Sequence, residues 1–371
     1  MRRTIFAEVS FALALVLQAQ CLAGQPVPSI DEIEKVWKAR QDKVDSAVFE
    51  LETEKTIFRG SNSEADNSIL LKLGKPPMPE NPPRDYLVKG TRRFSFSGVR
   101  THDSYEDQSW DPIGKRLYST KCVEVFNGKL FKSLDDPSSG QENHPAGIVK
   151  KTPQSGRALK FPLLPILMTL RGVHRDYFNS LSQFRLSGKS VPVAGRSCLE
   201  LLGPSERGQR QEVLYVDSER DYVVAKMVIL DEGKPTWQWS ATYQSHKTAG
   251  WIPQTWEYLL LTRKGYRLSA GRRTVARYKI NAKLDDGEFD IQFPPGTKVD
   301  DEVNFGQYVV YAISDSGERN RVVPAAEAPT YDDLQKPVPG SRRWLWLWGA
   351  VFLLTLAGAT WLRLRHRKRI A

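Results

Sequence analysis

The sequence predicts an α+β protein whose body is a single curved antiparallel β-sheet and whose C-terminal region carries one transmembrane helix. Three observations predict it. Between 49 and 284, runs of alternating apolar and polar residues recur, most of them parted by Gly, Pro, Asn or Asp turn signals. The alternation of strands with long helices that a parallel sheet needs is missing. Residues 344–362, WLWLWGAVFLLTLAGATWL, hold no charge.

The chain has 371 residues and a formal net charge of +11. Much of that excess lies at the ends, on Arg2 and Arg3 and on Arg363, Arg365, Arg367, Lys368 and Arg369. Between them no dense basic run with interleaved aromatics occurs, so nucleic acid is set aside as a partner.

Residues 1–23 read as a signal peptide, with a positive start, an apolar stretch over 9–17, and small residues at Cys21 and Ala23. Cleavage is expected after Ala23. Gln20 stands before Cys21, where a lipidation signal needs a small residue. The exported part then keeps Cys122 and Cys198 in a compartment where disulfides persist. An even count permits one bridge, and two buried thiols are the equal alternative.

The exported domain is expected over 24–313. A helix opens it: Ser29 and Glu32 form a capping box, and Ile33, Val36, Trp37 and Val44 trace one apolar face. A strand follows over 49–57, where Phe49, Leu51, Thr53 and Ile57 alternate with Glu50, Glu52 and Glu54. Residues 59–85, with Pro76, Pro77, Pro79, Pro82 and Pro83, read as a Pro-rich insertion or loop. Strand character returns over 86–99, with Phe94 and Phe96 on one face, and over 122–134, where Asn127-Gly128 predicts a type I′ hairpin.

The segment 161–170, FPLLPILMTL, is too short to span a bilayer and too apolar to be exposed. It plugs a core or covers a cavity. A second short helix is expected over 175–181. Strands are then expected over 198–202, 212–216, 222–230, 236–243, 252–261, 274–284 and 307–313, with turn signals such as Glu232-Gly233 and Asp286-Gly287 between them. Residues 314–343 read as a Pro-containing stalk. From 321 to 343 it reaches at most about 80 Å when fully extended.

The uncharged stretch 344–362 makes about 28 Å of helix, close to the hydrocarbon thickness. Trp344, Trp346, Trp348 and Trp361 stand near its ends, where indole rings favour the headgroup interface. The basic tail, 363–371, places the C-terminus in the cytoplasm by the positive-inside bias, and the export signal independently sends the preceding domain outward.

Three segments carry a family resemblance. FDIQFPPGTKVDD over 289–301 resembles the closing motif of the outer-membrane lipoprotein-sorting (LolA/LolB-like) proteins; VFNGKLF over 125–131 resembles that family's hairpin, and VLYVD over 213–217 its later strand ending in Asp. The resemblance spans 30–301. It implies an open β half-barrel wrapped around helices and enclosing an apolar cavity for acyl chains. By that likeness, Phe94, Phe96, Phe161, Leu164, Leu167 and Met168 would line the cavity or its lid, and Arg93 would make the polar contact with cargo. The soluble carriers of the family shuttle freely, whereas this chain continues past Asp301 into an anchor.

No HExxH, CxxC, GxSxG, P-loop or GxGxxG motif occurs. His102, His144, His174 and His246 stand far apart, so neither a metal nor another cofactor is expected. His102-Asp103-Ser104 holds triad residue types, but sequence neighbours on a strand point in different directions. Asp285-Asp286 and Asp300-Asp301 read as solvated turn acids. The chain is therefore expected to be no enzyme. It is expected to be a binding protein for lipid or acylated lipoprotein, held in the bacterial inner membrane by its own helix with its domain in the periplasm. The alternative is an envelope sensor or assembly protein that contacts other envelope proteins.

Overall fold

The structure, a computed structural model, describes residues 28–61, 63, 76, 80–111, 115–136, 145–151, 161–172, 180–206, 210–303 and 309–322. The expected signal peptide, transmembrane helix and basic tail, most of the stalk and the 59–85 insertion, and the helix expected over 175–181 lie outside the described residues or nearly so. Among the described residues no helix is long and apolar enough to cross a membrane.

Helix α1 (Ile30–Gln41) begins where the capping box places it. Ser29 Oγ accepts from the Glu32 N–H at 3.2 Å, and Glu32 returns the bond to the Ser29 N–H at 2.7 Å. Its buried face carries Ile33 and Trp37, and also Arg40. Helix α2 (Leu164–Leu170) follows a single 3₁₀ turn, Phe161–Leu163. Pro165 stands in its first turn, where a missing N–H costs nothing, and all seven residues of α2 are buried.

Around these helices runs one open, unclosed sheet, of sixteen strands among the described residues. In chain order they are β1 (Ser46–Ile57), β2 (Tyr86–Ser97), β3 (Arg100–Asp111), β4 (Arg116–Phe126), β5 (Phe131–Asp136), β6 (Ala146–Lys150), β7 (Arg185–Val193) and β8 (Arg196–Glu206). There follow β9 (Arg210–Asp217), β10 (Val223–Asp231), β11 (Lys234–His246), β12 (Gly250–Leu261), β13 (Arg267–Ile280), β14 (Lys298–Asp301), β15 (Val309–Ile313) and β16 (Arg319–Arg321). The meander β7 to β13 meets the meander β2 to β6 through β1, which pairs with both β2 and β13. β14 joins β6 in parallel, while the other described pairs are antiparallel. β16 takes in residues that the sequence reading gives to the stalk.

The hairpin at Asn127-Gly128 forms, but not as a type I′ turn. That turn needs positive φ at both central residues. Here only Gly128 has it (+94°), and Asn127 instead accepts the Lys129 and Leu130 N–H groups on its side chain, at 2.9 and 2.8 Å. Two-residue positive-φ turns occur at Ala194 (+49°) and Gly195 (+78°), between β7 and β8, and at Glu232 (+53°) and Gly233 (+77°), between β10 and β11.

On the inner face of the sheet, Phe49 and Leu51 of β1, Phe94 and Phe96 of β2, Trp239 of β11 and Trp256 of β12 pack with Ile33, Trp37 and Leu164, Ile166, Leu167, Met168 and Leu170 of α2 in one core. Burying each large side chain stabilises the fold by roughly 1.5–3 kcal/mol. Polar tips fix the plug in place: Trp37 Nε1–H donates to the Tyr222 carbonyl (2.8 Å), Arg40 donates to the Thr169 (2.7 Å) and Asp221 (2.8 Å) carbonyls, and Trp256 Nε1–H donates to the Pro162 carbonyl (3.0 Å). Burial pulls the Arg40 guanidinium down to about 10.

Candidate functional site

Five of the residues expected to line a cavity or lid come together. Phe94, Phe96, Leu164, Leu167 and Met168 are each at most 3% exposed and belong to one cluster, with the two phenyl centroids 6.1 Å apart. They form packed core. Phe161 begins the turn into α2, and its side chain lies outside the described residues. Open space on the inner face starts one residue further on, at Pro162.

That space is a cavity of about 620 Å³, within the size range of small-ligand sites. Its apolar wall is Pro162, Ile229, Trp237, Tyr258 and Leu260, and facing these stand Lys55, Arg92, Arg210 and Arg273, with Asp107 and Asp231. The strand register explains why they converge. Leu51 on the inner face of β1 is flanked by Arg92 on β2 and Val275 on β13; one pleat nearer the strand end, Thr53 pairs with Arg273, and one pleat further Lys55 pairs with Gly271. Across β12, β11 and β10, Leu260 pairs with Trp237 and Trp237 with Ile229; Asp231 pairs with Arg210 of β9. The inner face is thus apolar where the helices cover it and becomes cationic past their end.

Gly271 gives the Tyr258 ring its place, because a Cβ there would stand 2.5 Å from that ring. Arg273 lies over the same ring, 4.6 Å from its centroid. Burial pulls the Arg273 guanidinium below its ordinary value, and the charge of Arg92 adds to the effect. Two of the other charges are already committed: Arg92 Nε–H donates to Asp103 Oδ1 at 2.7 Å, and Arg263 bonds Asp231 at 2.5 Å.

Arg93 stands on the other face of β2. Side chains alternate along a strand, so a residue next to Phe94 points away from it. Arg93 Nη2–H donates to Glu288 Oε1 at 2.7 Å, beside Ser95 Oγ–H (2.8 Å), and His102 Nδ1–H donates to the Glu288 carbonyl at 2.6 Å. The inner-face arginine is its neighbour, Arg92. The closing segment 281–297 therefore crosses the outer face as a strap. It buries Phe289 under the Arg100 guanidinium, 4.6 Å from the ring centre, and presses Phe293 onto Gly147 before entering the sheet as β14. A larger recess of about 1120 Å³ lies beside the strap, bordered by Glu50, Arg93, Arg277, Lys279, Lys283 and Glu288. Arg93 is paired there with Glu50 and Glu288, while among the described residues Arg277, Lys279 and Lys283 make no ion pair, and Tyr278 is the one aromatic residue of its lining.

The bridge left open by the cysteine count does not form. Cys122 on β4 and Cys198 on β8 are free, buried thiols far apart in the strand order. Burial raises both, Cys198 to about 11, which keeps them protonated and unreactive. Among the described residues no group of His, Cys, Asp or Glu is arranged to hold a metal ion.

The residues of the inner cavity were missed although a signal for two of them existed. Arg92 lies two positions before Phe94, and Arg273 two before Val275, so each shares a face with a core residue. Arg210, Trp237 and Tyr258 are brought in by pairing between distant segments, which no local pattern records.

No protein-family model matches the chain, and no curated protein does. Among solved structures it is similar to a DUF1329 family protein from Desulfovibrio piger, at 11% identity and a TM-score of 0.37 over 71% of this chain and 98% of that one. It is similar also to LolA superfamily protein NE2245 from Nitrosomonas europaea, at 10% identity and a TM-score of 0.35 over 71% of this chain and 99% of that one. A third is MucB in complex with MucA, at 12% identity and a TM-score of 0.18 over 69% and 59%. At such scores the open sheet stands on its own strand pairing.

Proposed function

We propose that this chain is a membrane-tethered extracytoplasmic binding protein that takes an acyl chain of a lipid or lipoprotein against the apolar wall of the inner cavity. The observation that carries the reading is the position of that wall: Ile229, Trp237, Tyr258 and Leu260 continue the buried inner face beyond the point where α2 stops filling it. Each methylene moved from water to such a wall contributes about 0.8 kcal/mol, so a chain of moderate length binds without any polar motif.

The tether rests on the sequence, through the export signal and the uncharged stretch 344–362. With a stalk of limited reach, the domain works near the inner membrane as a local receptor or handover station. Extraction of the full chain, purified from membranes in a non-ionic detergent, with organic solvent and mass spectrometry of the extract tests the binding. A defined lipid at near-equimolar yield is expected, falling at least severalfold in Trp237→Ala. Recovery of no lipid from either protein, with stable envelope proteins co-purifying after mild crosslinking, would replace this reading with that of an assembly or sensor protein.

A further inference from the structure

The inner cavity contains two cationic groups with unmet hydrogen-bonding capacity. The Nε–H groups of Arg210 and Arg273 are buried and have no hydrogen-bond partner, and among the described residues neither guanidinium makes an ion pair. Both side chains border the same cavity, from β9 and β13, with Trp237 and Tyr258 of β11 and β12 between them. A buried donor without an acceptor is costly, and a charged one more so. Of the two acids in the wall, Asp231 is held by Arg263. Asp107 remains to offset Lys55, Arg210 and Arg273.

We infer that the ligand of this cavity carries an oxyanion head, a phosphate or a carboxylate, which accepts hydrogen bonds from Arg210 and Arg273 while its chain lies along Trp237 and Ile229. This rests on the reading of the cavity as an acyl-chain site and narrows it. A guanidinium presents a planar fork of donors that matches an oxyanion, and such charge-assisted bonds are about twice as strong as neutral ones. An uncharged head would leave both buried Nε–H groups without an anionic acceptor. The geometry therefore favours an anionic amphiphile over a ligand with a neutral acylated group.

The full chain, held in an uncharged amphipol, is titrated calorimetrically with octyl phosphate, octanoate and octanol below their micellar concentrations, with empty amphipol as blank. Octyl phosphate or octanoate is expected to bind at least tenfold more tightly than octanol, and the stronger of the two identifies the head. Arg210→Gln and Arg273→Gln should each reduce that preference by about tenfold, whereas Arg273→Lys, which keeps the charge and loses the fork, should recover part of it. Unchanged melting temperatures would show that the variants fold. Equal affinity for all three probes, insensitive to the substitutions, would overturn the oxyanion head and leave the acyl-chain site standing. Binding of none of them would overturn both.

Discussion

Arg92 of β2 and Asp103 of β3 pair diagonally across the two strands, 8% and 6% exposed, where an unpaired charge is hard to keep. Breaking such a pair by removing one partner costs about 3–5 kcal/mol, and replacing both with apolar residues of similar volume is often neutral. Arg92→Met should therefore lower the unfolding free energy by about 3 kcal/mol in a denaturant titration, and Arg92→Met with Asp103→Leu should restore most of it. If the double variant is as unstable as the single one, the pair is not the cause. On the outer face, burial works against the Glu288 carboxylate, but the Arg93 and Ser95 hydrogen bonds outweigh it and hold its pKa below the ordinary value. A lowered folded-state pKa means that the stabilisation is complete above the ordinary carboxylate value, about 4.3, and is lost as pH falls through the folded value. Proteolysis within the strap, residues 281–297, should accelerate below about pH 4.3, and Glu288→Gln should flatten that step. At this scale the sequence is informative where a local rule applies, as at the Ser29 cap. It misleads where the face of a strand decides the outcome, and Arg93 and Arg92 differ only in that.

Helix α2 is the element on which the inner face depends, since its seven residues are buried and fill the sheet up to the edge of the cavity. Leu167, fully buried, should lose about 3 kcal/mol of stability on substitution by Ala, the cost of a cavity in a close-packed core. A thermal melt of Leu167→Ala that overlays the parent would show that the plug is loosely held. The apolar run 161–170 made this element legible as a buried one, because nothing else accommodates ten such residues. Strand β3 was invisible for the opposite reason. Its sequence, RTHDSYEDQSWD, is polar on both faces, and its inner face buries Asp103 beside Arg92, so hydrophobic periodicity has nothing to report. Edge strand β7, RLSGKSVPV, is half exposed and holds Gly188 at positive φ, and it too escapes the pattern.

The whole molecule was legible as one large antiparallel sheet, since repeated strand and turn signals allow little else. Its order was not. Pairing β1 with β13, and laying β14 beside β6 in parallel, joins segments more than a hundred residues apart, and that pairing leaves no local trace. The same long-range pairing builds the inner cavity, with residues from β1 to β3 and β9 to β13, so the site emerges only when the fold is known. The proposed acyl-chain site therefore stands or falls with this part of the inner face. The direct measurement is photo-crosslinking of the full chain with a diazirine-bearing fatty acid, followed by mapping of the labelled residues by mass spectrometry. Labels concentrated on Ile229, Trp237, Tyr258 and Leu260 are expected, and labels confined to the outer recess beside the strap, or no labels on the domain, would contradict it.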